Sequence, residues 1–160
     1  MVLNQTQTLP NGVAIPKLAL GTWMIEDDVA ADAVKKAIEI GYRHVDTAQA
    51  YGNERGVGEG VRTSGVPRDE IFVQSKLAAE IKDYEGAKAA IDASLDAMGL
   101  DFIDLFIIHS PKPWQDWEGE DRFFEGNLAA WKAMEEALEA GKRPRPFQEP
   151  PARRAVHPGS

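Results

Sequence analysis

An α/β fold built on a parallel sheet is the fold class that the sequence predicts, and two features predict it. Short apolar stretches typical of strands alternate four times with amphipathic stretches of helical period. Each amphipathic stretch ends at a glycine, a frequent helix terminator, at positions 41, 65, 99 and 141. Four strand-then-helix units in succession predict parallel strands joined by right-handed crossovers. A content of 43% hydrophobic and 28% charged residues is that of an ordinary soluble globular domain.

A hairpin and the first strand-helix unit begin the chain. Leu9-Pro10-Asn11-Gly12 is a turn signal between two short β-prone stretches. Residues 17–21 predict a buried strand, the first of the parallel sheet. The helix that follows begins among the acidic residues 26–28 and ends at Gly41. Its predicted apolar face consists of Val29, Ala30, Ala33, Val34, Ala37 and Ile38.

The second and third units follow the same pattern. Residues 42–46 predict a strand, and a helix runs from about residue 53 to Gly65. Residues 70–76 predict the third strand, which is followed by a helix from about residue 83 to Gly99. The apolar residues of that helix recur every three or four positions, at Ala87, Ile91, Leu95 and Met98.

The fourth unit ends the regular part of the chain. Residues 102–108 are nearly all apolar, which predicts an interior strand covered on both faces. The last helix runs from about residue 127 to Gly141 and carries Leu128, Trp131, Met134 and Leu138 on one face. Residues 143–160 hold five of the ten prolines and have no apolar period, so we expect a disordered or extended tail. The predicted boundary divides a structured unit, 1–142, from this tail.

Three glycines lie at alternate positions within the second helix, at 56, 58 and 60. They do not form the dinucleotide-binding pattern G-x-G-x-x-G, because position 61 is valine and the segment does not follow a first strand. Glycine inside a helix costs roughly 1 kcal/mol relative to alanine. We therefore expect these glycines to weaken the helix.

Composition excludes several classes of function. The chain has no cysteine, which excludes disulfides, thiolate zinc sites and cysteine nucleophiles. Its N-terminus lacks the basic start and apolar stretch of a secretory signal, and no run of about 18 apolar residues occurs, so we expect a cytoplasmic protein without membrane association. The net charge is −8, and residues 1–142 carry 14 basic against 25 acidic side chains. Such an acidic body disfavours nucleic-acid binding.

Four segments resemble aldo-keto reductases in order, spacing and predicted secondary structure. The resemblance covers residues from about 8 to 142 and implies a (β/α)8 TIM barrel of which this chain holds about four units, the N-terminal half. The matching segments are Ala19-Leu20-Gly21-Thr22-Trp23, Gly41-Tyr42-Arg43-His44-Val45-Asp46-Thr47-Ala48 with Tyr51-Gly52-Asn53-Glu54, Val73-Gln74-Ser75-Lys76-Leu77, and Leu100-Asp101-Phe102-Ile103-Asp104-Leu105-Phe106-Ile107-Ile108-His109-Ser110-Pro111.

The resemblance implies a NADPH-dependent oxidoreductase that reduces a small aldehyde or ketone, with Asp46, Tyr51, Lys76 and His109 as catalytic residues. Asp46, Lys76 and His109 each fall at the C-terminal end of a predicted strand, and Tyr51 follows the second strand, on the face where parallel barrels place active sites. A cofactor supplies the hydride that no side chain can provide. Tyr51 would donate the proton, made more acidic by the ammonium of Lys76. Asp46 would orient Lys76, and His109 would bind the carbonyl oxygen.

The same resemblance implies further binding residues. Thr22, Trp23 and Asp46 would contact the cofactor. Trp23, Tyr51, His109 and Trp114 would contact the substrate. Many relatives place tryptophan directly after the catalytic histidine, where this chain has Ser110, so Trp114 or Trp117 would line the pocket instead.

The chain departs from the family after residue 142. A complete barrel has eight strands and about 250 residues, and the family binds most of its dinucleotide through later strands. The abrupt change in charge, proline content and periodicity suggests a frameshift or a truncated gene product near codon 143. Open edges on the first and fourth strands predict a homo-oligomer.

Two other functions stay open at this point. One is a catalytically silent half-barrel that self-associates and lacks the cofactor cradle. The other is a metal-dependent hydrolase using His44, Asp46 and His109, which is disfavoured because the paired strand histidines of such enzymes are absent. We expect no metal site, and we expect His44 to be structural.

Overall fold

The computed structural model describes residues 2–141 and shows a four-stranded parallel sheet with a separate N-terminal hairpin. The sheet order is β3-β4-β5-β6, and β1 and β2 pair antiparallel. The alternating α/β fold and the hairpin are thus confirmed. The strands are β1 Thr6–Thr8, β2 Ala14–Pro16, β3 Leu20–Gly21, β4 His44–Asp46, β5 Phe72–Leu77 and β6 Leu105–Ile108. The helices are α1 Asp27–Glu39, α2 Glu54–Arg62, α3 Tyr84–Met98 and α4 Phe124–Glu139.

Two apolar clusters join the helices to the sheet. The larger cluster joins α1, α2 and α3 to β4 and β5 and includes Val34, Val57, Val73 and Met98, all fully buried. The smaller one joins α3 and α4 to the end of β5 through Leu77, Ala87, Ala130 and Ala133.

The tail predicted over residues 143–160 lies outside the described residues. Within the described part of the chain, no helix is long and apolar enough to cross a membrane.

The register of the sheet brings the ends of three strands together. Asp46, the last residue of β4, pairs with Gly21 on one side and Gln74 on the other. Lys76 pairs with Ile107 on β6, two positions before His109. Side chains alternate between the two faces of a strand, so Asp46, Lys76 and His109 can reach one region at the C-terminal edge of the sheet.

The first strand of the sheet is shorter than predicted. Only Leu20–Gly21 pairs with β4. The Lys17 amide instead donates to the Gln5 carbonyl at 2.9 Å and so belongs with the hairpin, while Leu18 is exposed. The prediction of a buried strand from residue 17 is wrong because the backbone of Lys17 is hydrogen-bonded to the hairpin and not to β4.

The prediction of an interior fourth strand is also wrong. All four residues of β6 are only half-buried. Among residues 2–141, β6 is the edge of the sheet, and a cavity of about 870 Å³ opens beside it, lined by hairpin residues, by Leu105 and Phe106, and by the C-terminal half of α4. A continuous apolar run indicates burial on both faces only when a further strand covers the edge.

The predicted apolar face of α4 is largely exposed. Leu128, Trp131 and Leu138 are 71%, 48% and 49% exposed, and α4 instead packs through Ala130 and Ala133. Small residues allow α4 to approach α3 closely, so the large side chains project away from the contact. On α1, Val29 is likewise exposed, although Ala30, Val34, Ala37 and Ile38 are buried as predicted.

The three α2 glycines are required for helix packing, contrary to the expectation that they only weaken the helix. A Cβ at Gly58 would overlap the Met98 carbonyl of α3, and one at Gly56 would overlap the Asp27 carbonyl of α1. At Gly60 it would lie 2.6 Å from the Val34 Cβ. The helix-propensity cost of these glycines is therefore offset by the close approach of three helices.

Candidate active site

Lys76 is the centre of a polar cluster at the C-terminal edge of the sheet. Its Nζ donates to Asp46 Oδ1 at 2.7 Å, to the Thr47 carbonyl at 2.9 Å and to the Tyr51 hydroxyl at 3.2 Å. The Lys76 side chain is 10% exposed and that of Asp46 is 27% exposed. An ammonium has three N–H donors, and here all three have acceptors. Lys76 is therefore held in one orientation and largely shielded from water.

Tyr51 lies in a 3-10 turn, Gln49–Tyr51, directly after β4. Lysine has no acceptor, so the Tyr51 oxygen must accept the hydrogen bond from Lys76. The phenolic proton is then free to point away from Lys76. Tyr51 is half-exposed, which leaves its hydroxyl within reach of a ligand.

His109 contacts the cluster through its ring. The imidazole lies edge-on to Tyr51, with ring centroids 5.7 Å apart, and edge-on to Trp114 at 4.9 Å. Burial, and secondarily the Lys76 ammonium, lower the pKa of His109 below its usual value. His109 is therefore neutral at neutral pH. Its Nδ1 is buried without a hydrogen-bond partner, and placing the proton on Nε2 avoids a buried, unpaired N–H.

The structure brings Asp46, Tyr51, Lys76 and His109 together, and Trp114 joins them through His109. Thr22 is fully buried, and its hydroxyl donates to the Asp46 carbonyl at 3.1 Å. Trp23, the next residue, is 71% exposed, and Trp117 is 53% exposed. Thr22 thus supports the backbone of Asp46, whereas Trp23 offers a free aromatic surface.

Asn53 is a buried residue to which the sequence pattern assigned no role. Its amide Nδ2 donates to the carbonyls of Thr22 and Ile25, both at 2.8 Å. Its Oδ1 accepts from the Thr47 hydroxyl at 2.8 Å. Asn53 therefore ties the loop after β3 to the loop after β4. The signal available in the sequence was its position at the N-cap of α2, where asparagine is common because its side chain can accept a hydrogen bond from the first turn of the helix. Asn53 makes no such capping bond here.

His44 is buried on β4, two residues before Asp46, and its contacts are with the hairpin and β5. A carbonyl can only accept, so Nδ1 donates to Pro16, at 3.0 Å, and the ring packs edge-on against Phe72. Burial lowers the pKa of His44. Among residues 2–141 no group of three or more His, Asp or Glu side chains is arranged to hold a metal ion.

Comparison with known proteins identifies relatives over most of the chain. A 9,11-endoperoxide prostaglandin H2 reductase of Trypanosoma cruzi is 45% identical over 136 residues, covering 84% of this chain and 44% of that protein. Glyoxal reductase of Bacillus subtilis is 40% identical over 141 residues, covering 88% of this chain and 47% of that protein. The crystal structure of a Bombyx mori aldo-keto reductase in complex with NADP is 34% identical, with a TM-score of 0.74, over 87% of this chain and 48% of that one.

The chain thus spans about half the length of the relatives that it matches. Its four strand-helix units correspond to part of the TIM barrel of these proteins. The model of the Aldo/keto reductase family matches residues 17–143, from the end of the hairpin through α4. Sequence and fold agree, and the chain belongs to the aldo/keto reductase family.

Proposed function

We propose that this chain reduces a small aldehyde or ketone to an alcohol with NADPH, and that Tyr51 donates the proton. The observation that carries the proposal is the triple contact of Lys76 with Asp46, the Thr47 carbonyl and the Tyr51 oxygen. An ammonium fixed against a phenolic oxygen stabilises the negative charge that forms as the proton leaves. The cluster is thus suited to general acid catalysis.

The residues at the sheet edge fit the reacting end of a nicotinamide cofactor, which supplies a hydride when bound. Tyr51 and His109 can donate to a carbonyl that gains a hydride and a proton, while Asp46 accepts from Lys76 and so holds Lys76 beside Tyr51. Asp46 and the exposed ring of Trp23 are the side chains that we propose to contact the cofactor, and Thr22 would act by supporting the backbone of Asp46. The phosphate end of a dinucleotide would need groups beyond this cluster.

His109 has a different task from Tyr51 in the proposed reaction. A neutral imidazole with its proton on Nε2 donates one hydrogen bond, which suits a carbonyl oxygen that becomes negative. Trp114 packs against the His109 ring and would limit the size of the substrate beside it. We propose Trp23, Tyr51, His109 and Trp114 as the substrate contacts.

The experiment that tests this proposal is NADPH oxidation by the purified chain with glyoxal and other small aldehydes. Replacing Tyr51→Phe removes the phenolic proton and keeps the ring, so we expect kcat to fall by about 100-fold or more. Tyr84→Phe is the matched control, because the Tyr84 hydroxyl bonds to Glu136 on the surface away from the cluster. Equal activity of the parent and the Tyr51→Phe variant would refute the assigned role.

A catalytically silent half-barrel is the second candidate, favoured by two observations. The chain covers 44%, 47% and 48% of the three relatives described above, and large apolar side chains of α4 are exposed. In this alternative the cluster is intact but NADPH does not bind. Titration of NADPH fluorescence separates the two candidates, because the silent fragment shows no saturable change.

Cytoplasmic location and the absence of nucleic-acid binding stay predictions from the sequence.

A further inference from the structure

Gln49, two residues before Tyr51, has all of its side-chain polar atoms engaged. Its Oε1 accepts from the Ala78 amide at 2.8 Å, just beyond the end of β5. Its Nε2 donates to the Ala90 carbonyl at 2.8 Å and to the Ser94 hydroxyl at 2.9 Å, both on α3. Gln49 therefore connects the turn that carries Tyr51 to one strand end and to one helix.

The contact with Ser94 continues into a chain of buried polar side chains. The Ser94 hydroxyl accepts from Gln49 and donates to Glu54 Oε2 at 3.0 Å. Glu54 Oε1 in turn accepts from the Ser75 hydroxyl at 2.5 Å. Ser75 directly precedes Lys76 on β5. The network thus begins at Gln49, two residues before Tyr51, and ends at Ser75, next to Lys76.

Glu54 is the acidic member of this network and is only 9% exposed, so burial raises the pKa of its carboxyl group, while the hydrogen bonds to Ser75 and Ser94 oppose that rise. Its two hydroxyl donors come from β5 and α3, while its own backbone begins α2. A buried carboxyl group needs such hydrogen-bond partners, so the three elements are held in one arrangement. Gln49 joins the Tyr51 turn to that arrangement.

The turn itself contributes little to fixing Tyr51. Its backbone hydrogen bonds run from the Tyr51 amide to the Ala48 carbonyl at 3.0 Å and from the Gly52 amide to the Gln49 carbonyl at 3.1 Å. Both are local and close a single turn. The distance from the Tyr51 oxygen to Lys76 Nζ depends on how this turn is seated against β5 and α3.

We propose that Gln49 is a positioning residue for Tyr51: its amide group, bound to Ala78, Ala90 and Ser94, seats the turn so that the Tyr51 oxygen stays against Lys76. The inference rests on the proposed function for its kinetic consequence. Its structural part, an ordered turn, does not depend on catalysis. A glutamine at this place supplies one acceptor and two donors in a plane, which neither leucine nor alanine can replace.

The test compares Gln49→Leu with the parent chain and with a matched control. Val57→Ala is the control, because Val57 is fully buried in the larger apolar cluster and its side chain has no hydrogen-bonding group that could take part in the Gln49 network. Hydrogen exchange of the peptide over residues 47–54 is measured by mass spectrometry. Turnover with NADPH and an aldehyde gives kcat, KM and the solvent deuterium isotope effect.

We expect Gln49→Leu to speed exchange in the 47–54 peptide and to lower kcat by roughly tenfold, with KM within about twofold of the parent, because a displaced acid affects the proton step more than binding. The solvent isotope effect should rise. Val57→Ala, which loosens the core, should change neither kcat nor the isotope effect. If Gln49→Leu does not fold, Ser94→Ala cuts the same network and should change the same quantities by a smaller factor.

The inference is overturned if Gln49→Leu exchanges like the parent in this peptide, or if its kinetics match those of Val57→Ala. A parent chain without turnover refutes the proposed reduction, not the positioning of the turn. In that case the exchange measurement alone decides whether Gln49 orders the Tyr51 turn.

Discussion

His44 and His109 have lowered pKa values for related reasons but in different surroundings. Burial is the main cause at both, and the nearby Lys76 ammonium adds to it at His109. His44 is 7% exposed and lies between Pro16 and Phe72, whereas His109 is half-exposed beside Tyr51. Protonation of His44 therefore acts on folding, and protonation of His109 acts on the proposed reaction.

His44 is expected to make the fold sensitive to mild acid. An unfolded histidine binds a proton near pH 6.5, but folded His44 binds it only at lower pH, because burial outweighs the hydrogen bond to Pro16 and the nearby Asp46, Gln74 and Asp104 side chains, which raise its pKa. The unfolded state thus holds more protons in that interval, and the free energy of unfolding falls as pH decreases through it. The loss approaches about 1.4 kcal/mol per pH unit for one full proton.

Urea unfolding at pH 7.5 and pH 5.5 measures this effect. His44→Phe keeps a ring against Phe72 and removes the titration, so its free energy of unfolding should fall less between the two pH values than that of the parent. The difference between the free energies of unfolding of the two proteins at pH 7.5 measures the effect of the lost hydrogen bond to Pro16 and is subtracted from the comparison at pH 5.5. An equal pH dependence in both proteins would contradict the prediction.

At the scale of elements, α2 shows how packing can reverse an argument from helix propensity. The sequence predicts the helix and its approximate ends, and the structure places it at Glu54–Arg62. Its glycines face α1 and α3 rather than solvent, and a methyl group at Gly58 would overlap the Met98 carbonyl. A backbone carbonyl cannot rotate away as a side chain can, so α2 and α3 would have to separate.

Gly58→Ala is therefore expected to destabilise the fold by about 2 kcal/mol or more, although alanine is the better helix former. Gly21→Ala is the matched control, because an added methyl group there meets no atom within 4 Å. Its free energy of unfolding in urea should stay within about 0.5 kcal/mol of the parent. A Gly58→Ala variant as stable as the parent would show that α2 and α3 separate easily.

At the scale of the whole molecule, the part of the chain that the structure describes exposes a strand edge and apolar surface beside it. β6 is an open edge, the cavity beside it is lined largely by apolar residues, and Trp131 and Leu138 on α4 border that cavity while remaining about half exposed. Open strand edges and contiguous apolar surface favour association. The edge of β6 and the exposed face of α4 are therefore the surfaces through which we expect the predicted self-association.

Light scattering of the purified chain is expected to show a species larger than the monomer. The double substitution Trp131→Lys and Leu138→Lys places charge on the exposed face of α4 and should shift the chain toward the monomer. Val29→Lys is the control, because Val29 is similarly exposed, at 52%, but lies on α1. A monodisperse parent monomer would contradict the prediction.

Much of this molecule could be predicted from local sequence. Apolar period and terminal glycines indicated each helix and strand to within a few residues, because these signals depend on neighbours in the chain. The strand-end positions of Asp46, Lys76 and His109 followed from the parallel topology. The family followed from the same segments, and the model match over residues 17–143 confirms it.

Other features depended on residues far apart in sequence. Gln49 meets Ala90 and Ser94 across 41 and 45 positions, and Glu54 meets Ser94 across 40. Which side of α4 is buried, and whether β6 is interior, depended on the elements that lie next to them. A sequence pattern indicates which polar groups need a hydrogen-bond partner. Only the tertiary structure determines which partner lies within about 3 Å, because that distance depends on how the helices and strands pack together.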